Sequence, residues 1–236
     1  LALDPGNPSA WYYRGFVLNR LGRPRKAIES LDRALSLDPE NAKALLEKGR
    51  AQMEGLRYGE ALETLDRFIA LEPEEGEAWY RKGILLHGLD RFEEAKQSLD
   101  EALRLAPEKA EAWFRHGITL LALRRPEEAS VSLRRGLEID PGAAEGWSQL
   151  ALAREEAGDA EGAVEALRNS TDRQPGDPAA WLRIGELQLH LGRAEEALSS
   201  GQKAAELAPS LAAGWYLRGR ALLALRRPEE AHESLE

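Results

Sequence analysis

Residues 110–143 read AEAWFRHGITLLALRRPEEASVSLRRGLEIDPGA, and four places in that stretch decide the fold: Trp113, Gly117, Ala129 and Pro141. Each belongs to a column that recurs every 34 residues. Outward from Trp113, tryptophan stands at Trp11, Trp79, Trp147, Trp181 and Trp215, and Leu45 holds the single vacancy. Four residues after each member comes Gly15, Gly49, Gly83, Gly117, Ala151, Gly185 or Gly219, so that place always has almost no side chain. Sixteen residues after each comes alanine without exception, from Ala27 to Ala231. Proline closes the pattern at Pro39, Pro73, Pro107, Pro141, Pro175 and Pro209, with Pro5 one step earlier. The segment LLALRRPEEA at 120–129 also recurs letter for letter at 222–231. A period of this length points to a solenoid of stacked repeats and not to one globular core.

Each repeat reads as two helices. The first is predicted from about two residues before the tryptophan to ten after it, with Trp113, Gly117, Leu120 and Leu121 at helical spacing. A short polar break follows. The second helix opens near Pro24, Pro126 or Pro228, since proline suits a first helical position whose N–H has no partner in any case. Glutamates such as Glu127 and Glu128 then face the positive end of the helix dipole. Ala129, Leu133 and Leu137 form the inner face, and the closing proline ends the pattern. Gly117 and Ala129 are expected where the two helices cross, with Trp113 filling the adjacent hollow. No stretch has the alternation of a strand.

Composition narrows the function classes. The chain has 236 residues, 43% hydrophobic and 31% charged, which suits a folded polypeptide better than a disordered tail. Its net charge of −9 repels phosphate backbones, so no nucleic-acid partner is expected. Apolar runs such as Leu120 to Leu123 are far below the ~18 residues needed to cross a bilayer, so no membrane insertion is expected. With no cysteine, thiol catalysis, thiolate zinc sites and iron–sulfur clusters are excluded. His87, His116, His190 and His232 fall at different repeat positions without an HExxH pair, which argues against a metal site. Neither a phosphate-binding loop nor a nucleophile elbow is present. Adjacent glutamates such as Glu93 and Glu94 point different ways on a helix and read as helix-start charges, not as a catalytic pair. The expectation is therefore a protein without catalytic residues, metal or cofactor.

The period, the Trp and Gly columns, the alanine and the closing proline resemble the tetratricopeptide repeat across essentially the whole chain. With the tryptophan at repeat position 4, the repeats are 8–41, 42–75, 76–109, 110–143, 144–177 and 178–211, with a partial repeat at 212–236 and the tail of an earlier one at 1–7. The resemblance implies one all-α array, a right-handed superhelical α-solenoid of antiparallel helix pairs. Both ends fall inside a repeat, which leads us to expect a piece of a longer array, or end-to-end stacking on further copies. Position 7 departs from the family's leucine at Arg14, Lys48, Lys82, His116 and Arg218, whose stems are expected to lie on the core with their polar ends free to reach water. Ala151, Arg154, Thr171 and Asp172 make the fifth repeat a candidate soft spot, and Gly201 at position 24 predicts a thin contact in the sixth.

In this family the first helices line the ligand-binding groove, mainly through positions 2, 5, 6, 9, 12 and 13. Three repeats here place an aromatic and an apolar residue one turn apart on that face: Tyr12 with Phe16, Tyr80 with Ile84, and Phe114 with Ile118. Such a ladder is suited to an extended or amphipathic helical peptide. Arg50, Arg81 and Arg115 each have a glutamate four residues away, whereas Arg183 and Arg220 do not, which makes these two the candidates for a ligand carboxylate or phosphate. The six columns carry seven Lys or Arg against eight Glu, so the groove is near neutral. The chaperone-binding clamp of the family needs Lys at position 5 and Asn at position 9, and no repeat here has either. The asparagine ladder of O-linked N-acetylglucosamine transferases at position 6 is also missing, replaced by Tyr13, Glu47, Arg81, Arg115, Gln149, Arg183 and Leu217. The reading is a protein-interaction scaffold with a protein or peptide partner. Its alternatives are the docking arm of an enzyme whose catalytic domain lies elsewhere, and a platform that assembles with itself.

Overall fold

The computed structural model describes residues 5–234, so the stretches 1–4 and 235–236, assigned by the repeat register to an earlier repeat's tail and to the last repeat, lie outside it. Every regular element among the described residues is an α-helix. The first helices of the pairs are α1 (Pro8–Arg20), α3 (Ala42–Glu54), α5 (Gly76–Gly88), α7 (Ala110–Ala122), α9 (Ala144–Glu156), α11 (Pro178–His190) and α13 (Ala212–Ala224). The second helices are α2 (Pro24–Leu37), α4 (Tyr58–Leu71), α6 (Phe92–Leu105), α8 (Pro126–Ile139), α10 (Ala160–Arg173), α12 (Ala194–Leu207) and α14 (Pro228–Glu233). The fold is an α-solenoid of antiparallel helix pairs. Two compact units, Leu1–Arg115 and His116–Glu236, divide the chain.

The first helices run from three residues before the tryptophan to nine after it, one residue earlier than the spacing suggests. The break between the helices of a pair is a defined turn. Gly22 N–H donates to the Asn19 carbonyl and Arg23 N–H to Leu18, each at 2.9 Å, which is the two-bond Schellman closure of a helix end. That closure needs a left-handed residue, and Gly22, Gly158 and Gly192 supply one. At the same repeat position Leu56, Asp90, Arg124 and Arg226 take φ of 58 to 59° without being glycine.

Within a pair the small residue of the first helix meets a leucine of the second. A Cβ on Gly15 would lie 2.5 Å from Leu31 Cγ, on Gly83 2.6 Å from Leu99 Cγ, and on Gly117 2.5 Å from Leu133 Cγ. The alanine column lies beside this contact: Ala27, Ala61, Ala95, Ala129, Ala163 and Ala197 are fully buried. Gly201 does not leave the thin contact predicted for the sixth repeat. Its Cβ would sit 2.8 Å from the Arg218 backbone nitrogen, and Leu217 of the next helix reaches back so that a Cβ on Gly185 would meet it at 2.5 Å. The absent side chain is replaced by the close approach of α13, in which Gly214 likewise packs on the Ala205 backbone.

The tryptophan column has a polar task as well as a packing one. Each half-buried indole donates its N–H to the carbonyl of the proline six residues before it, at 2.8 Å from Trp113 to Pro107 and 2.9 Å from Trp79 to Pro73. The same bond joins Trp11 to Pro5, Trp147 to Pro141, Trp181 to Pro175 and Trp215 to Pro209. At the vacancy Leu45 is completely buried, and the Pro39 carbonyl accepts instead from Arg67 Nη2 at 3.2 Å. The turn before a first helix thus keeps a donor even where the indole is missing.

Position 7 is tied more firmly than its side chains alone predict. Lys48 reaches Asp32 and Lys82 reaches Asp66, both at 2.7 Å, linking a first helix to the second helix of the preceding pair. His116 is buried with Nδ1 2.9 Å from Ser132 Oγ. In the fifth repeat Arg154 bonds the Gly162 carbonyl at 2.8 Å and Glu165 at 3.0 Å, so its side chain ties α9 to α10.

Candidate functional site

In the first compact unit, α1, α3 and α5 present the columns expected to meet a ligand. Tyr12 and Phe16 are half-buried, with ring centroids 6.3 Å apart in a tilted arrangement. Tyr13 packs edge-on against Tyr12 at 5.0 Å, and the Arg20 guanidinium lies 5.2 Å from the Phe16 ring. Burial first, then the negative charge of Glu47 and the neighbouring Tyr13, holds the Tyr12 phenol above its ordinary pKa, so it stays a neutral hydroxyl. Glu47 is fixed by Asn19, which donates from Nδ2 to its carbonyl and its Oε2, both at 2.9 Å.

Tyr80 and Ile84 differ in what they offer. The Lys109 ammonium sits 4.0 Å from the centroid of the Tyr80 ring, so one face of that ring is already taken by a cation. Lys109 also pairs with Glu77, which accepts from Arg81 Nε at 2.8 Å. Ile84 instead borders an open hollow of about 330 Å³ lined by Met53, Tyr58, Leu85 and Gly88 as well. Apart from Tyr58, which comes from the start of α4, this lining comes from first helices. Phe114 in the first unit and Ile118 in the second are each half-buried.

In the second unit the two arginines part company. Arg183 is not without a partner: its Nε donates to Glu155 at 2.8 Å, its Nη2 pairs with the same carboxylate, and Nη1 reaches Glu186 at 2.9 Å. The i±4 reading of one helix could not find Glu155, which lies 28 residues back on α9. Arg220 has no carboxylate within ion-pair distance among the described residues, and its guanidinium lies 5.7 Å from the exposed Tyr216 ring. Exposed apolar side chains nearby in sequence are Leu211 and Leu223.

Several groups around these columns escape a residue-by-residue reading. Glu47 with Asn19 and Arg183 with Glu155 occupy the same relation, position 6 of one repeat facing position 12 of the repeat before it. His87 and Arg115 share that spacing, and the arginine's charge acts on the imidazole. A scan of residues 28 apart, in addition to those within one helix, carries the signal. Met53 stands at position 12, one of the expected groove columns, whereas Tyr58 and Lys109 belong to other columns and no sequence interval marks them. Among the described residues no cluster of His, Asp and Glu could hold a metal ion, and no helix is long and apolar enough to cross a membrane.

Stacked helical hairpins with glycine–leucine crossings and an indole-bonded proline turn define an α-solenoid repeat protein. Models of the tetratricopeptide repeat match residues 8–41, 46–95 together with 148–212, and 86–153. The chain belongs to the tetratricopeptide repeat family. Among solved structures it is similar to YrrB, described as a TPR protein with an unusual peptide-binding site, with a TM-score of 0.71 and 22% identity over 79% of this chain and 96% of that one. It is also similar to MamA, at 0.68 and 23% over 71% and 92%. A tetratricopeptide repeat protein from Parabacteroides merdae aligns over 96% of this chain and 90% of its own length, at 0.70 and 19%. No curated protein gives a significant match.

Proposed function

We propose that the chain is a non-catalytic protein-interaction scaffold that holds an extended or amphipathic helical peptide against its first helices. The observation that carries this reading is the hollow at Ile84: an open apolar recess lined by Met53, Tyr58, Leu85 and Gly88, on the helix that also carries Tyr80. A recess of this kind takes one apolar anchor of a peptide, while polar groups at its rim set orientation. Tyr12, Phe16 and Phe114 in the first unit are further apolar contacts of the same columns; in the second, Ile118 is their apolar counterpart and Arg220 the cation for a ligand carboxylate or phosphate. Arg183, already held by Glu155, contributes to a ligand only by exchanging that partner, and ranks below Arg220. Family membership supports the scaffold role, and the peptide-binding site named for YrrB supports a peptide as the kind of ligand.

Peptides selected from a random displayed library against the intact chain test the reading. Ile84→Asp places a charge in the recess and is expected to weaken the selected peptides at least about tenfold, a cost of ~1.4 kcal/mol, with helicity by circular dichroism unchanged. Equal affinity for the variant overturns the assignment.

A further inference from the structure

We propose that the hollow between α12 and α13 is a second binding site, specific for a single carboxylate, with Arg218 as its cation. In the second and third repeats the position-7 lysine is neutralised by an aspartate sixteen residues earlier, Lys48 by Asp32 and Lys82 by Asp66, each at 2.7 Å. At the same interval before Arg218 stands Gln202, an amide with no charge. The ion pair is therefore half built, with its cation present and its anion missing.

The surroundings are those of a site and not of a filled contact. Gln202, Ala205, Glu206, Pro209, Trp215 and Arg218 line a hollow of about 260 Å³, roughly nine water volumes at ~30 Å³ each. Arg218 is half-buried, its Nε is buried without a hydrogen-bond partner, and no carboxylate lies within 4.0 Å of it among the described residues. Its guanidinium carbon is 5.7 Å from the Trp215 ring centroid, so the indole supplies an apolar wall beside the cation. The indole N–H is already spent on the Pro209 carbonyl at 3.0 Å.

The two nearby acids do not close the pair. Glu206 accepts from Gln202 Nε2 at 3.3 Å and faces Lys203 at 3.5 Å, and Glu230 is held by both Nε and Nη2 of Arg227, at 2.6 and 2.5 Å. Glu206 on the lining repels a second negative charge, which favours a monocarboxylate over a phosphate. A carboxylate standing where the aspartate stands in earlier repeats would accept from the guanidinium fork, with a short aliphatic stem on Trp215 and Pro209. Arg218 is two residues from Tyr216, about 200° around a helix of 3.6 residues per turn, so this site faces away from the columns of the proposed groove.

Nuclear magnetic resonance on the whole chain tests this, with the Trp215 indole N–H cross-peak as reporter. Sodium butyrate represents a free carboxylate and the blocked peptide Ac-Ala-Glu-Ala-NH2 an acidic side chain of a protein. A saturable shift with either, in the millimolar range, is expected, and the tighter probe identifies the source. Gln202→Asp restores the missing acid and is expected to abolish the shift while raising the thermal midpoint; Arg218→Gln is expected to abolish it without that gain. The proposal is overturned if neither probe gives a saturable shift on the wild-type chain, or if the shift survives in Gln202→Asp.

Discussion

At the scale of single residues, the most exacting demand falls on the residue that closes each first helix. A non-glycine in the left-handed region costs about 1–2 kcal/mol, yet Leu56, Asp90, Arg124 and Arg226 hold it. Leu56 is 72% exposed, so almost no packing is lost by removing its side chain. Leu56→Gly is expected to gain up to about 1 kcal/mol, because relief of strain exceeds the ~0.5–1 kcal/mol of extra chain entropy that glycine brings. Gly22→Ala is expected to lose about 1 kcal/mol for the converse reason. Urea denaturation of the two variants checks the opposite signs. Gly22, Gly158 and Gly192 stand in one column of the sequence, but the four other residues in that column, of three types, hide the shared backbone conformation behind what reads as a polar break.

At the scale of helices and turns, the bond between indole and proline carbonyl explains why two residue types so far apart in character repeat together. Trp79→Phe keeps a ring but removes the donor to Pro73, and is expected to cost about 1 kcal/mol in thermal or urea unfolding, the net worth of one such bond. His87, at the end of α5, packs edge-on against Phe92 at 5.2 Å. Burial, then the positive charge of Arg115, lowers its pKa below 6.5, against a smaller opposing pull from Asp90. The unfolded chain therefore binds the proton first as pH falls, and this group's stabilising effect, present above 6.5, is lost as pH drops toward the folded value. The stability of His87→Gln is expected to fall less steeply than wild type over that window, read as the urea midpoint against pH.

Pairing of helices is legible in the sequence because the 34-residue columns fix both their spacing and their small crossing residues. Contacts between one pair and the next are not, because they join residues that no interval within a single helix connects. Gly201 looks like a defect in its column, but α13 closes on it. Arg183 looks free because Glu155 lies on the preceding pair. Ile84 is visible in its column, whereas Tyr58, from the start of a second helix, joins the same recess only through packing.

At the scale of the whole molecule, the proposed function rests on a division of labour between faces. The second helices and the tryptophan turns hold the pairs together, and the first helices, joined by Tyr58 of α4, carry the apolar recess and the charges around it. A chain with net charge −9 whose groove columns are near neutral is expected to select its partners there by shape and apolar contact more than by bulk charge. The sequence contains a single methionine, Met53, and it lines the Ile84 recess. Its methyl group, labelled with carbon-13, is therefore a unique reporter inside the proposed binding surface. On titration with a library-selected peptide, the Met53 methyl resonance should shift and saturate with the same affinity as the binding itself, and should show magnetisation transfer to peptide protons. Tight binding that leaves this resonance unmoved would place the partner elsewhere and contradict the account.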